Sequence, residues 1–206
     1  MACLPQRFGG SMSGIDACPW CGDDALYRAY HDEEWGVPCR DEDRLFEFLI
    51  LEGMQAGLAW ITILRKREAF RRAFAGFDAE RVARFGEADR ARLRADAAIV
   101  RNRAKIDAAV RNARAVLALR ESGEGLAGRL WSHVDGRPVQ HHYRRHEDVP
   151  AKDSVSEAMA RDLRGLGMGF VGPTICYTLM QAAGLVNDHL LDCPRHAACA
   201  ELAGAG

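Results

Sequence analysis

Apolar residues recur at spacings of three and four through most of the chain, which is the pattern of helices that bury one face. Leu45, Phe46, Phe48 and Leu49 follow Asp41, whose side chain can accept from a first-turn amide, so a helix is predicted there with a break or bend at Glu52-Gly53. A second helix is predicted from Leu58 through Trp60, Ile61 and Leu64 to Phe74. Asp78 opens a short one over Val82 and Phe85. Further helices cover Arg90 to Ile99 and Asn102 to Arg120, stopping at Ser122-Gly123. From His133 to Ala151 the chain turns polar, with Gly136, Pro138 and Pro150, and reads as a loop. Ser154 and Glu157 have capping-box spacing and start a helix to Arg164, and Thr174 to Gly184 forms the last long one. Alternating strand patterns are nearly absent, so the predicted class is all-α.

Composition narrows this picture. With 206 residues and 48% apolar content, the chain can bury one domain, or two small helical lobes around a groove. Its apolar stretches, such as Phe48 to Leu51 and Val171 to Leu179, fall far short of the about 20 residues a membrane span needs, so no membrane partner is expected. Met1 to Gly14 lacks the charged start and apolar core of a secretory signal and reads as a disordered leader, so the cytoplasm is the default expectation for the protein's location. The formal net charge of −1 gives no global signal for nucleic acid. A local one exists: Arg92, Arg94, Arg101, Arg103, Lys105, Arg111 and Arg114 crowd one stretch, either as a basic face or as a solvated helical surface.

Cysteine and histidine placement is more specific. Cys18 and His31 near the start, with His189 and Cys193 near the end, make a two-Cys, two-His set that would clip the termini together around one zinc ion. Closing so long a loop costs entropy that grows only slowly with length, while structural zinc can contribute on the order of 10 kcal/mol to folding. Other pairings remain open, because there are seven Cys and seven His. Cys18 with Cys21, or His196 with Cys199, are alternatives, as are plain unliganded thiols. His189 and Cys193, four apart after an apolar run, would share one helical face.

Three further features can carry chemistry. Leu163 to Thr174 reads as a helix, a glycine-rich turn and a second helix start. This is either a helix-hairpin-helix that brings backbone amides to a DNA phosphate or an ordinary corner between two helices with glycine caps. Glu52 lies among apolar residues, where a carboxylate is costly unless paired or used, although a glutamate near a helix end is also commonly solvated. Trp20, Tyr30, Trp35 and Trp60 are either core or the flat walls of a pocket for an extruded base.

Taken together, Trp20, LYRAYHDEEWGVP, LEGMQAGLAWITILRKRE, FVGPTICY and GLVNDH closely resemble the 3-methyladenine DNA glycosylase I family, from Cys18 to Cys193. The resemblance implies a helix-hairpin-helix fold of two helical lobes over 18–195, with the hairpin at 155–184, a leader at 1–17 and a tail at 196–206. It implies one structural zinc on Cys18, His31, His189 and Cys193. Its activity would be monofunctional excision of N3-methyladenine, and of N3-methylguanine, from double-stranded alkylated DNA. Free 3-methyladenine is then the product, and the protein is expected to be a monomer. By the same carry-over Glu52 contacts the base, Tyr30 and Trp20 line the pocket, Trp60 stacks on the base and Leu58 fills the gap in the duplex. Gly167, Gly169, Gly172 and Thr174 would approach the DNA backbone.

Two departures stand out. Gly169 occupies a place where the family commonly has lysine, which puts a phosphate contact in doubt or shifts it to Arg164. Asp188 invites comparison with the catalytic aspartate of other hairpin glycosylases, but it adjoins His189 and is assigned a supporting role. A non-catalytic, zinc-stabilised helix-hairpin-helix DNA-binding module is the alternative function, against which Glu52 and Trp60 argue. A thiol redox role for Cys18-Pro19-Trp20-Cys21 would require a reactive thiol that zinc ligation precludes.

Overall fold

The computed structural model describes residues 18–204, so the leader expected at 1–17 lies outside the described residues. Among the described residues ten α-helices follow in order: α1 (Ala25–Glu33), α2 (Glu42–Gln55), α3 (Trp60–Ala73), α4 (Ala79–Ala83), α5 (Glu87–Ala95), α6 (Arg103–Glu121), α7 (Gly125–Trp131), α8 (Ser154–Gly165), α9 (Pro173–Ala182) and α10 (Pro194–Gly204). Short polar side chains start several of them. Asp24 accepts from the Leu26 and Tyr27 amides, Asp41 from Arg44, Asp78 from Arg81 and Asn102 from Lys105. Each such cap is worth about 1 kcal/mol.

α2 is the central element, packing against α3, α6, α7 and α9. Every residue from Leu45 to Met54 is buried, so this helix has no solvated face over that span. Glu47 is buried with the rest. It is held by Arg67 Nε at 2.7 Å, Arg71 Nε at 2.9 Å and Arg44 Nη1 at 3.0 Å. The bend predicted at Glu52-Gly53 does not occur, because the helix continues to Gln55. Gly53 instead gives room for the close approach of Phe170, whose Cβ would lie 3.4 Å from a Cβ built there.

Two other local expectations change. Asp153, rather than Ser154, caps α8, exchanging hydrogen bonds with Ser156, while Glu157 pairs with Lys152. Residues 189–193 form bends and a turn instead of a helix, and α10 begins only at Pro194. The polar loop holds one short strand, β1 (Val139–Gln140), paired in parallel with β2 (Val186–Asn187), with Val139 opposite Val186. That pairing fixes the path of Asp188 and His189 immediately after β2. Among the described residues, no helix is long and apolar enough to cross a membrane.

Candidate active site and metal cluster

Cys18, His31, His189 and Cys193 converge, all buried, with their ligand atoms within 4.8 Å of one another. Cys18 precedes a short helical turn, His31 lies in the last turn of α1, and the other two come from the segment after β2. Their separations carry chemical information. His31 Nε2 lies 3.2 Å from His189 Nδ1, and the sulfur-to-nitrogen distances are 3.6 Å (Cys193 to His31), 3.7 Å (Cys193 to His189) and 3.8 Å (Cys18 to His189). Tetrahedral zinc with ordinary bond lengths sets nitrogen–nitrogen edges of about 3.3 Å and nitrogen–sulfur edges of about 3.6 Å. The residues therefore fit that ion.

Each imidazole also has its other nitrogen engaged. His31 Nδ1 lies 2.7 Å from Asp32 Oδ1, and His189 Nε2 lies 2.9 Å from the Trp35 carbonyl oxygen. Such partners fix ring orientation and raise ligand basicity. Gly36, at φ 77°, leaves space for this packing, because a Cβ there would stand 3.0 Å from the His189 ring. Cys21 does not join the cluster: its thiol donates to the Cys18 carbonyl at 3.0 Å, and burial raises its pKa. That is the opposite of a reactive redox cysteine.

Beside the cluster lies a cavity of about 340 Å³ walled by Trp20, Tyr27, Tyr30, Trp35 and Trp60, with Glu52 among its lining residues. Trp20 contacts Tyr27 and Trp35 edge-on, with centroids 5.0 and 4.9 Å apart, and Tyr30 meets Trp60 at 5.3 Å. The walls are thus braced against each other before any ligand arrives. Glu52 is only 2% exposed, and burial pushes its pKa up to about 8, with a contact from Thr178 opposing the rise. Its Oε2, Trp20 Nε1 and Trp60 Nε1 are buried without a hydrogen-bond partner. Three orphaned polar atoms on residues lining one cavity offer two donors and an acceptor to a flat ligand.

Asp188 lines the same cavity but is fully engaged. Its Oδ2 accepts from Tyr177 Oη at 2.8 Å and Gln181 Nε2 at 2.7 Å, and its Oδ1 lies 2.6 Å from His141 Nδ1. The Asp188 hydrogen bond holds the His141 pKa above its ordinary value, against the effect of burial. This carboxylate braces α9 against the polar loop.

A family model described as Methyladenine glycosylase matches residues 20–196. The chain belongs to the methyladenine glycosylase family. It is 47% identical over 179 residues to DNA-3-methyladenine glycosylase 1 of Escherichia coli strain K12, an alignment covering 87% of this chain and 96% of that protein. The fold matches a crystal structure of 3-methyladenine DNA glycosylase I with a TM-score of 0.85 and 48% identity, over 86% of this chain and 98% of that one. A tyrosine-to-phenylalanine variant of a 3-methyladenine DNA glycosylase I, solved in complex with 3-methyladenine, matches with a TM-score of 0.84 and 36% identity, over 87% of this chain and 97% of that one.

The other singled-out residues of the chain fall at two places. Leu58, 42% exposed, sits between α2 and α3. Gly167, Gly169, Gly172 and Thr174 gather at the joint of α8 and α9, where Gly167 and Phe170 both adopt positive φ. Arg164 lies against Gly172, with its Nη2 3.5 Å from a Cβ built there. Of the polar-loop histidines, His146 lines the cavity, while the His142 ring lies 5.7 Å from that of His196.

Several residues of the site were not singled out from sequence. Tyr27, three positions before Tyr30 on α1, and Thr178 and Gln181, three apart on α9, share the cavity, and helical spacing is the signal that could have found them. Lys105 carried no such signal. Its ammonium donates to the Met54 and Ala56 carbonyls at 2.8 and 2.6 Å, tying the end of the Glu52 helix to α6.

Proposed function

We propose that the chain is a DNA-3-methyladenine glycosylase of the helix-hairpin-helix kind, which takes N3-methyladenine, and N3-methylguanine, from alkylated double-stranded DNA by base flipping and hydrolysis of the N-glycosyl bond. Family membership supports the reaction class. The observation that carries the pocket assignment is the trio of unpartnered atoms, Trp20 Nε1, Glu52 Oε2 and Trp60 Nε1, in a cavity of aromatic walls. A bare DNA-binding module has no use for a buried, unpaired carboxylate.

The mechanism follows from charge. A 3-methylated adenine in DNA is cationic and already a good leaving group, so the protein needs mainly to select and hold it. Glu52 ionises when the cation enters, because an opposite charge offsets the burial that holds its pKa up. Trp60 and Tyr30 stack on the electron-poor ring, and neutral adenine gains neither effect. Water then takes the place of the base, and the abasic strand stays intact. Lesions weaken stacking, which lowers the few kcal/mol that extrusion requires.

Cys18, His31, His189 and Cys193 would hold zinc as a structural clip. Four protein ligands leave no open position, so the ion would supply folding energy and not a nucleophile. We infer a monomer acting on DNA and releasing free 3-methyladenine. Titration of 3-methyladenine against tryptophan fluorescence tests the pocket, since three of the four tryptophans line it. Quenching is expected with 3-methyladenine and not with adenine; identical traces for the two contradict the reading.

A further inference from the structure

The basic stretch from Arg90 to Arg120 resolves into cations that are used internally and cations that are not. Arg90 and Arg103 reach Asp107, Arg92 reaches Asp89, Arg94 pairs with Glu87, and Arg120 pairs with Asp43. Arg114 donates to the Ala83 carbonyl, and the Lys105 ammonium sits on two helix-end carbonyls. Among the described residues, two exposed cations of this stretch, Arg101 and Arg111, have neither a hydrogen bond nor an ion pair, and of the two it is Arg111 that lies against the α8–α9 turn.

Its position is specific. A Cβ built on Gly169, in the turn joining α8 and α9, would stand 2.7 Å from Arg111 Nη2 and 2.9 Å from Ala108 Cβ. The Arg111 guanidinium therefore occupies the space that a side chain at 169 would take. The neighbouring Asn112 fixes the register, since its Nδ2 donates to the Gly169 carbonyl at 3.1 Å and its Oδ1 accepts from the Gly169 amide at 2.8 Å. With its own amide committed to Asn112, Gly169 offers no backbone donor to an anion. The donors at this edge of the turn come from α6.

We propose that Arg111 delivers, from α6, a cation to the backbone of the DNA strand that crosses the α8–α9 turn. The assignment rests on the reading that duplex DNA is the substrate, and it makes α6 part of the DNA-binding surface. A guanidinium with no acidic partner presents a planar fork of donors to a phosphodiester, and no internal ion pair has to break for it to do so. Gly169 has a complementary role, because the absence of a side chain is what lets Arg111 lie against the turn.

The test is the salt dependence of binding to a short, undamaged duplex by wild-type protein, Arg111→Gln and Arg111→Lys. Each phosphate contact contributes about 0.9 to the slope of log K against log salt, so Arg111→Gln is expected to lower the slope by about one contact and to weaken binding several-fold. Arg111→Lys keeps the charge and is expected to stay near wild type. Melting temperature and titration of free 3-methyladenine report fold and pocket in each variant. A wild-type slope in Arg111→Gln overturns the proposal, and so does an equal loss in Arg111→Lys, which would mark a role in shape and not in charge. Base release from methylated DNA by the wild-type protein is scored in parallel. Normal release with an unchanged slope removes Arg111 alone, whereas no release with the slope effect intact removes the glycosylase reading alone.

Discussion

Glu47 and Glu52 lie five residues apart on one buried helix and are driven in opposite directions. Despite its burial, Glu47 is held below the usual carboxylate range by Arg67 and Arg44. Glu52 has no cationic partner, and burial alone pushes it up to about 8. The first carboxylate has its charge satisfied by the fold; the second has its charge left for a ligand.

The pH dependence of stability should show both. Glu52 has a folded pKa raised above its ordinary 4.5, so its contribution is full below that value and is lost as pH rises towards about 8. Glu47 has a depressed folded pKa, so its contribution is full above the ordinary value and is lost as acid protonates it. Chemical denaturation across pH should therefore find Glu52→Gln flattening the decline between pH 4.5 and about 8. Glu47→Gln should cost about 3–5 kcal/mol near neutrality, because it leaves buried Arg67 undercompensated.

Excision should depend on Glu52 in its ionised form. For wild-type protein, kcat/KM on alkylated DNA is expected to rise with pH through an apparent pKa near 8, the value of the free protein. Glu52→Gln should lose that limb and roughly 10²-fold in rate while remaining folded. Single-turnover rates from pH 6 to 9 check both, and an unchanged limb in the variant would show that the titrating group is another residue.

The cluster of Cys18, His31, His189 and Cys193 makes a separate prediction. Cys193→Ser should lose bound zinc, measured by elemental analysis, and melt at lower temperature, with any remaining folded protein still able to bind 3-methyladenine. Gly36→Ala should lower the melting temperature as well, through strain at φ 77° and a 3.0 Å contact with the His189 ring. Full zinc occupancy in Cys193→Ser would argue against that cysteine as a ligand.

Helix positions were legible because the local signals were strong: Asp41 caps α2 as expected, α6 starts directly after Asn102 where the helix was predicted to begin, and apolar spacing marks their buried faces. Expectations failed where tertiary contacts overrode local preference. Gly53, which predicts a break, instead lets Phe170 approach a continuous helix. His189 and Cys193 do converge, though through a turn stabilised by neighbouring segments and not through a helical face. Glu52 stands out in the sequence as a carboxylate among apolar residues, and Tyr30 and Trp60 as candidate pocket walls, while their roles come from the family resemblance; Lys105 and Asn112 act on backbone carbonyls and amides that leave no mark in a sequence.

Trp60 and Tyr30 should be separable by substitution. Trp60→Ala removes the ring that meets Tyr30 at 5.3 Å and should weaken binding of free 3-methyladenine by about 1–3 kcal/mol, the usual worth of a base–aromatic stack. Trp60→Phe keeps a flat face and should retain most of the affinity. Calorimetric titration distinguishes the two, and equal affinities for all three proteins would place the base elsewhere.

The most direct test of the glycosylase assignment is release of free bases from methylated duplex DNA, separated by chromatography and compared with a heat-inactivated control, because 3-methyladenine also leaves slowly unaided. 3-Methyladenine is expected in excess of the control, with 7-methylguanine left in the DNA. No excess from folded, zinc-loaded protein would contradict the assignment.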